Sequence, residues 1–89
     1  MDASIQSKAA FKRAVEVVGS QEKMAVALSQ KLGRPVSQSY VWNQLHQRKG
    51  PIAAEIAIPV EQILKEHKEK LTEMEVITRH DLRPDLYPK

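Results

Sequence analysis

Cysteine is absent from this 89-residue chain, which excludes a disulfide framework and every cysteine-containing zinc finger. Its absence is compatible with a reducing cytoplasm. No charged start is followed by an apolar run, so no signal peptide is expected. No stretch approaches the roughly 18 apolar residues of a membrane span. His46, His67 and His80 are scattered without a metal-binding spacing. There is no glycine-rich phosphate loop, no nucleophile elbow and no carboxylate pair framed by a pocket-building sequence. These absences argue against an enzyme, a metal and a cofactor. They describe a soluble cytoplasmic chain, one small domain near the lower size at which a single core suffices.

Strand-like alternation is missing as well, and the spacing of apolar residues is helical throughout. A first helix is predicted over about Ser7 to Val18, where Phe11, Ala14, Val15 and Val18 share one face. Gly19 suits the cap after it. Ser20 reads as N-cap of a second helix with Glu22 in its first turn, and Met24, Ala25, Leu28 and Leu32 form its buried stripe. Gly33 ends that helix, and Pro35 stops the backbone from continuing it. Ser37 caps a third helix running to about 47, with Val41 and Leu45 turned inward and Val36 beneath its start. After Gly50-Pro51, residues 52–58 read as a short apolar helix that Pro59 either kinks or follows with a new one. The stripe Val60, Ile63, Leu64, His67, Leu71 and Met74 is helical. Glu61–Lys65 and Glu66–Lys70 stand at i, i+4 in the favourable order. The tail 78–88, with two prolines, is expected to be mostly irregular. The fold class is therefore all-α, four to five helices in one domain over 1–89, without repeats. The two-helix pattern occupies about 20–47, and a C-terminal helix and tail about 53–89.

The charge is uneven. Residues 1–50 hold eight Lys/Arg against three Asp/Glu, and residues 51–89 hold six against eight. A basic half coinciding with the two-helix pattern suggests a surface facing a polyanion.

With Val41 and Leu45 inward, the third helix turns Ser37, Gln38, Ser39, Trp42, Asn43 and His46 outward. Gln and Asn can each contact adenine N6 and N7 in bidentate fashion, and Ser reaches bases or phosphates. Trp42 has two readings: against a thymine methyl or sugar, or folded into the core. Phosphate contacts are expected from Gln21 and Lys23 at the start of the second helix, Arg34 in the turn, and Arg48 and Lys49 after the third. This is the arrangement by which a helix-turn-helix protein places its second helix in the DNA major groove.

The same residues resemble the phage and prophage regulators grouped as Cro-like and YdaS-like helix-turn-helix proteins. The likeness is carried by residues 12–19, Gln21 through Leu28, residues 36–43, and Ala54-Glu55 with residues 58–61. The tail Thr78-Arg79-His80-Asp81-Leu82-Arg83-Pro84-Asp85 is the most specific match. The resemblance implies a small lambda-repressor-like domain and a transcriptional repressor or regulator of a lysis–lysogeny or toxin-linked operon. Such a protein binds a pseudo-palindromic double-stranded DNA operator as a homodimer and is nucleoid-associated. It also implies that Ser37, Gln38, Ser39, Trp42 and Asn43 touch bases. The chain departs from the pattern in three places. The connection from Leu28 to Val36 is longer than usual, giving the second helix an extra turn or the loop a protrusion. Gln44 stands where a bulky apolar residue is usual, and the link 65–74 is extended. The alternative function is an antitoxin or anti-repressor that masks a toxin or regulator protein, suggested by the acidic C-terminal half.

Overall fold

The computed structural model describes residues 3–67, 69 and 76–88. Among these the regular elements are helices: α1 (Ala3–Val18), α2 (Gln21–Leu32), α3 (Gln38–His46), α4 (Ala54–Glu66) and α5 (Arg79–Leu82). None is long and apolar enough to cross a membrane.

Both serine caps form as the sequence predicts. Ser20 Oγ accepts from the Lys23 amide at 3.1 Å, and Ser37 Oγ from the Tyr40 amide at 3.1 Å. Each satisfies one otherwise orphaned donor of a first helical turn. Gly33 ends α2 at φ +69, ψ +26, the left-handed conformation that costs an L side chain. Of the two alternatives for the long connection, the extra helical turn is the one adopted, because α2 continues to Leu32. Ser29 then ties its end to the approach of α3: its hydroxyl accepts from the Val36 amide at 2.8 Å and donates to the Ala25 carbonyl at 2.9 Å.

The predicted inward residues meet in one core, joined by Ile52, Ile56 and Leu82. Phe11, Ala14, Met24, Leu28, Val41, Ile52, Ile56, Val60 and Leu82 are fully buried. Leu32, Val36 and Leu45 are half-buried against them. Against this core α2 packs on both α3 and α4, and α1 on α5.

Four expectations need correction. α1 begins at Ala3, one turn before Ser7, because Ser7 is itself a fully buried helical residue whose hydroxyl accepts from the Ile52 amide at 2.9 Å. The apolar segment does not begin a helix at Ile52; Ile52 sits in the preceding loop and α4 starts at Ala54. Of the two readings of Pro59 only the start of a new helix fails, because the residue lies inside α4. In the second turn it forfeits a single backbone hydrogen bond. The helix predicted from Val60 onward stops at Glu66, where His67 leaves helical geometry and its Nδ1 lies 2.9 Å from the Ile63 carbonyl. Leu71, Met74 and Lys70 lie outside the described residues. Glu66 pairs with Lys31 of α2 at 2.6 Å.

The tail is mostly irregular, as expected, apart from the four-residue α5. The Thr78 amide donates to Asp81 Oδ2 at 2.8 Å and the Thr78 side chain accepts from the Asp81 amide, a capping box that starts α5; the Thr78 hydroxyl also donates to Asp81 Oδ2 at 3.1 Å. His80 Nδ1 lies 2.7 Å from the Tyr87 carbonyl, and the Arg79 guanidinium stands 5.7 Å from the Tyr87 ring centroid. Leu82 is driven fully into the core, a burial stabilising by about 1.5–3 kcal/mol. The prolines break helix continuation but not order, because side chains supply the hydrogen bonds that helix would have made.

Candidate nucleic-acid interface

α3 is nine residues long, and its two faces separate cleanly. Val41 and Gln44 are buried; Ser37, Gln38, Ser39, Trp42, Asn43 and His46 are exposed. Helical periodicity thus gathers Gln38, Ser39, Trp42 and Asn43 on one side, with Ser37 at the cap before them. Among the described residues, the side chains of Gln38, Ser39 and Asn43 form no hydrogen bond within the protein, so their amides and hydroxyl are open to a ligand. Ser37 differs, since one lone pair of its oxygen already caps α3, leaving its O–H and one further lone pair.

Trp42 adopts the outward of its two readings, with 42% of its surface exposed. Its ring lies 5.1 Å from that of His46, tilted by 47°. The pair follows from i, i+4 spacing on one helix face.

The five expected phosphate residues are placed less uniformly. Lys23 and Lys49 are exposed. Gln21 opens α2 and lines a groove of about 360 Å³ together with Leu45 and His46 from the end of α3. The start of α2 and the end of α3 are therefore neighbours. Arg48 is exposed but uses Nε to donate to the Pro51 carbonyl at 2.8 Å. Arg34 pairs with Glu55 at 2.6 Å, and the Tyr40 hydroxyl donates to the same carboxylate oxygen at 3.3 Å. Burial pushes the Tyr40 phenol up, and the Glu55 carboxylate adds to the rise. Arg34 is thereby joined to the flank of α3, with its charge already partnered.

Sequence reasoning missed three contributors. Lys8 and Lys12 of α1 line the groove beside Gln21 and His46, and Lys8 Nζ also donates to the Arg48 carbonyl. Their i, i+4 spacing was the available signal, but which helix they face is a tertiary fact. The other is Gln44, whose Oε1 accepts from the Ala53 amide at 2.8 Å. An acceptor, not apolar bulk, is what the chain needs beneath α3, because a half-buried amide in the following loop must be satisfied.

Chemically the site offers amide and hydroxyl groups, one indole edge and several cations on one side of a short helix. Among the described residues no group of three or more His, Asp or Glu could hold a metal ion. A sequence model of the family described as "Bacterial toxin YdaS" matches residues 11–89. The chain belongs to this family. No curated protein and no solved structure matches it.

Proposed function

Taking membership of the YdaS family as the premise, we propose that this protein is a sequence-specific double-stranded DNA-binding regulator of the Cro type, with α3 as its reading helix. The observation that carries the reading is the exposed face of α3, where Gln38, Ser39 and Asn43 hold no internal partner. Gln38 and Asn43 are the residue types suited to bidentate adenine contact. Trp42 supplies an apolar surface for a thymine methyl. Lys23, Lys49 and the remaining guanidinium nitrogens of Arg48 contact phosphate, and the α2 N-terminus at Gln21 offers backbone amides to another. Ser37 contributes its O–H. Arg34 reaches phosphate only by exchanging Glu55 for it. The protein acts as a homodimer on a two-fold symmetric operator and represses the operon it serves.

Selection of bound sequences from a random DNA pool tests this reading. The expected result is enriched half-sites related by two-fold symmetry, with centres about one helical turn apart. A pool that shows no enrichment at low salt overturns it.

A second reading, an antitoxin or anti-repressor acting on another protein, draws on the exposed Ile5, Val26, Val76 and Leu86. Co-purification with and without nuclease separates the two: a protein partner retained after nuclease treatment, with no DNA shift at low salt, favours the second.

A further inference from the structure

Residues 51–53, in the loop between α3 and α4, have four backbone groups held by four side chains. Arg48 Nε donates to the Pro51 carbonyl at 2.8 Å, and Ser7 Oγ of α1 accepts from the Ile52 amide at 2.9 Å. Arg83 of the tail donates through Nη1 to the Ile52 carbonyl at 2.9 Å. Gln44 of α3 accepts from the Ala53 amide at 2.8 Å. The Ile52 carbonyl and the Ala53 amide belong to one planar peptide unit, so the tail and the reading helix grip opposite ends of the same rigid group. Ile52 itself is fully buried, which leaves that unit little room.

Arg83 is well fixed for this task. Its side chain is 12% exposed, and Nε and Nη2 donate to the two Asp85 oxygens at 2.9 and 2.7 Å. The Gln44 bond in turn limits rotation of α3 about its own axis, because Gln44 and Val41 are the buried residues of that helix. A small rotation there would carry Gln38 and Asn43 away from base edges.

We propose that Arg83 is a positioning residue for the reading helix, setting the orientation of Gln38 and Asn43 through the Ile52–Ala53 peptide and Gln44. This rests on the DNA-reading function proposed above.

The test compares Arg83→Gln, Arg83→Lys, Gln44→Leu and the double variant Arg83→Gln/Gln44→Leu. Affinities are measured for a selected target and for random DNA, and amide spectra are recorded on the same proteins. Arg83→Gln is expected to lose about tenfold in target affinity with random-DNA binding unchanged, and Arg83→Lys to recover part of it. The double variant is expected to lose no more than the worse single one, since both act on one peptide. Equal loss on both DNAs, no loss on either, or full additivity overturns the proposal. Should the unmodified protein show no DNA preference, the functional reading fails and the coupling is judged from the spectra alone. Movement of the Gln44 side-chain amide in Arg83→Gln then sustains it, and its constancy refutes it. If Arg83→Gln does not fold, Asp85→Asn loosens Arg83 from an exposed partner. A smaller loss of target affinity in the same direction is then expected, and none overturns the proposal.

Discussion

Glu61 and Arg79 fasten the tail to α4 through one buried carboxylate. The Arg79 amide donates to Oε2 at 2.7 Å, while its guanidinium donates to Oε1 through Nε at 3.2 Å and Nη2 at 2.9 Å. Glu61 is 8% exposed at its side chain and Arg79 44%, so one partner stays in contact with water. Burial alone would raise the Glu61 pKa, but the hydrogen bonds and charge of Arg79, with Lys65 3.8 Å away, hold it below the usual carboxylate range.

That depression fixes a pH dependence. A carboxylate whose folded pKa lies below its unfolded one contributes stability above the unfolded value, about 4.3 for Glu. The contribution disappears as pH falls through the folded value. Asp85, held low by its hydrogen bond from Arg83, adds in the same direction. Urea midpoints are expected to hold at neutral pH and decline below about pH 4.3. Glu61→Gln should begin lower by about 1–2 kcal/mol, discounted for the exposure of Arg79, and decline less steeply. An identical acid slope in the two proteins would refute this.

Leu82→Ala tests whether the tail belongs to the fold. Leu82 is fully buried, so truncation should cost about 2–5 kcal/mol. A loss of less than about 0.5 kcal/mol, typical of a surface site, would show that the tail does not dock.

Gln44→Leu conserves bulk but removes the acceptor for the half-buried Ala53 amide. A loss of about 1–2 kcal/mol is expected in chemical denaturation. A neutral or stabilising result would mean that water satisfies that amide instead.

Gly33 adopts φ +69 in open space, where an added Cβ meets nothing within 4 Å. Gly33→Ala therefore costs backbone strain alone, about 1 kcal/mol, and Gly33→Asn less. The ordering Gly, Asn, Ala in thermal midpoint checks the cause, because a steric origin would penalise Asn more than Ala.

On DNA, Gln38→Ala and Lys49→Ala should fail differently. Loss of a bidentate base contact lowers target affinity by about 1–3 kcal/mol and relaxes specificity. Loss of one phosphate contact weakens all sequences alike and reduces the log–log salt slope by about 0.9. Matching effects of the two variants on target and random DNA would remove Gln38 from the reading face.

Most local choices were legible from single residues. Ser20, Ser37 and Gly33 mark helix ends because a short hydroxyl or a missing Cβ meets a need of the adjacent backbone itself. The outward side of α3 was equally readable, since with Val41 and Leu45 inward the period leaves residues 38, 39, 42, 43 and 46 on the remaining arc. The tail's one short helix and its docking were not legible, for a physical reason. Two prolines signal the end of helix propagation, but they say nothing about side chains that replace backbone bonds, and the Thr78–Asp81 capping box was overlooked among them. Gln44 looked like a misplaced polar residue because its partner lies nine positions on, across a loop.

Helix type and the ends marked by Ser20, Gly33 and Ser37 were written in the chain itself, for these depend on contacts within four residues and on which side of a helix is apolar. Only the tertiary structure decided that Arg34 spends its charge on Glu55, that Lys8 and Lys12 stand beside His46, and that Arg83 and Gln44 share one peptide. Those pairings join residues 9 to 40 positions apart. Side-chain hydrogen bonds over such separations depend on how the helices pack, which no local pattern encodes.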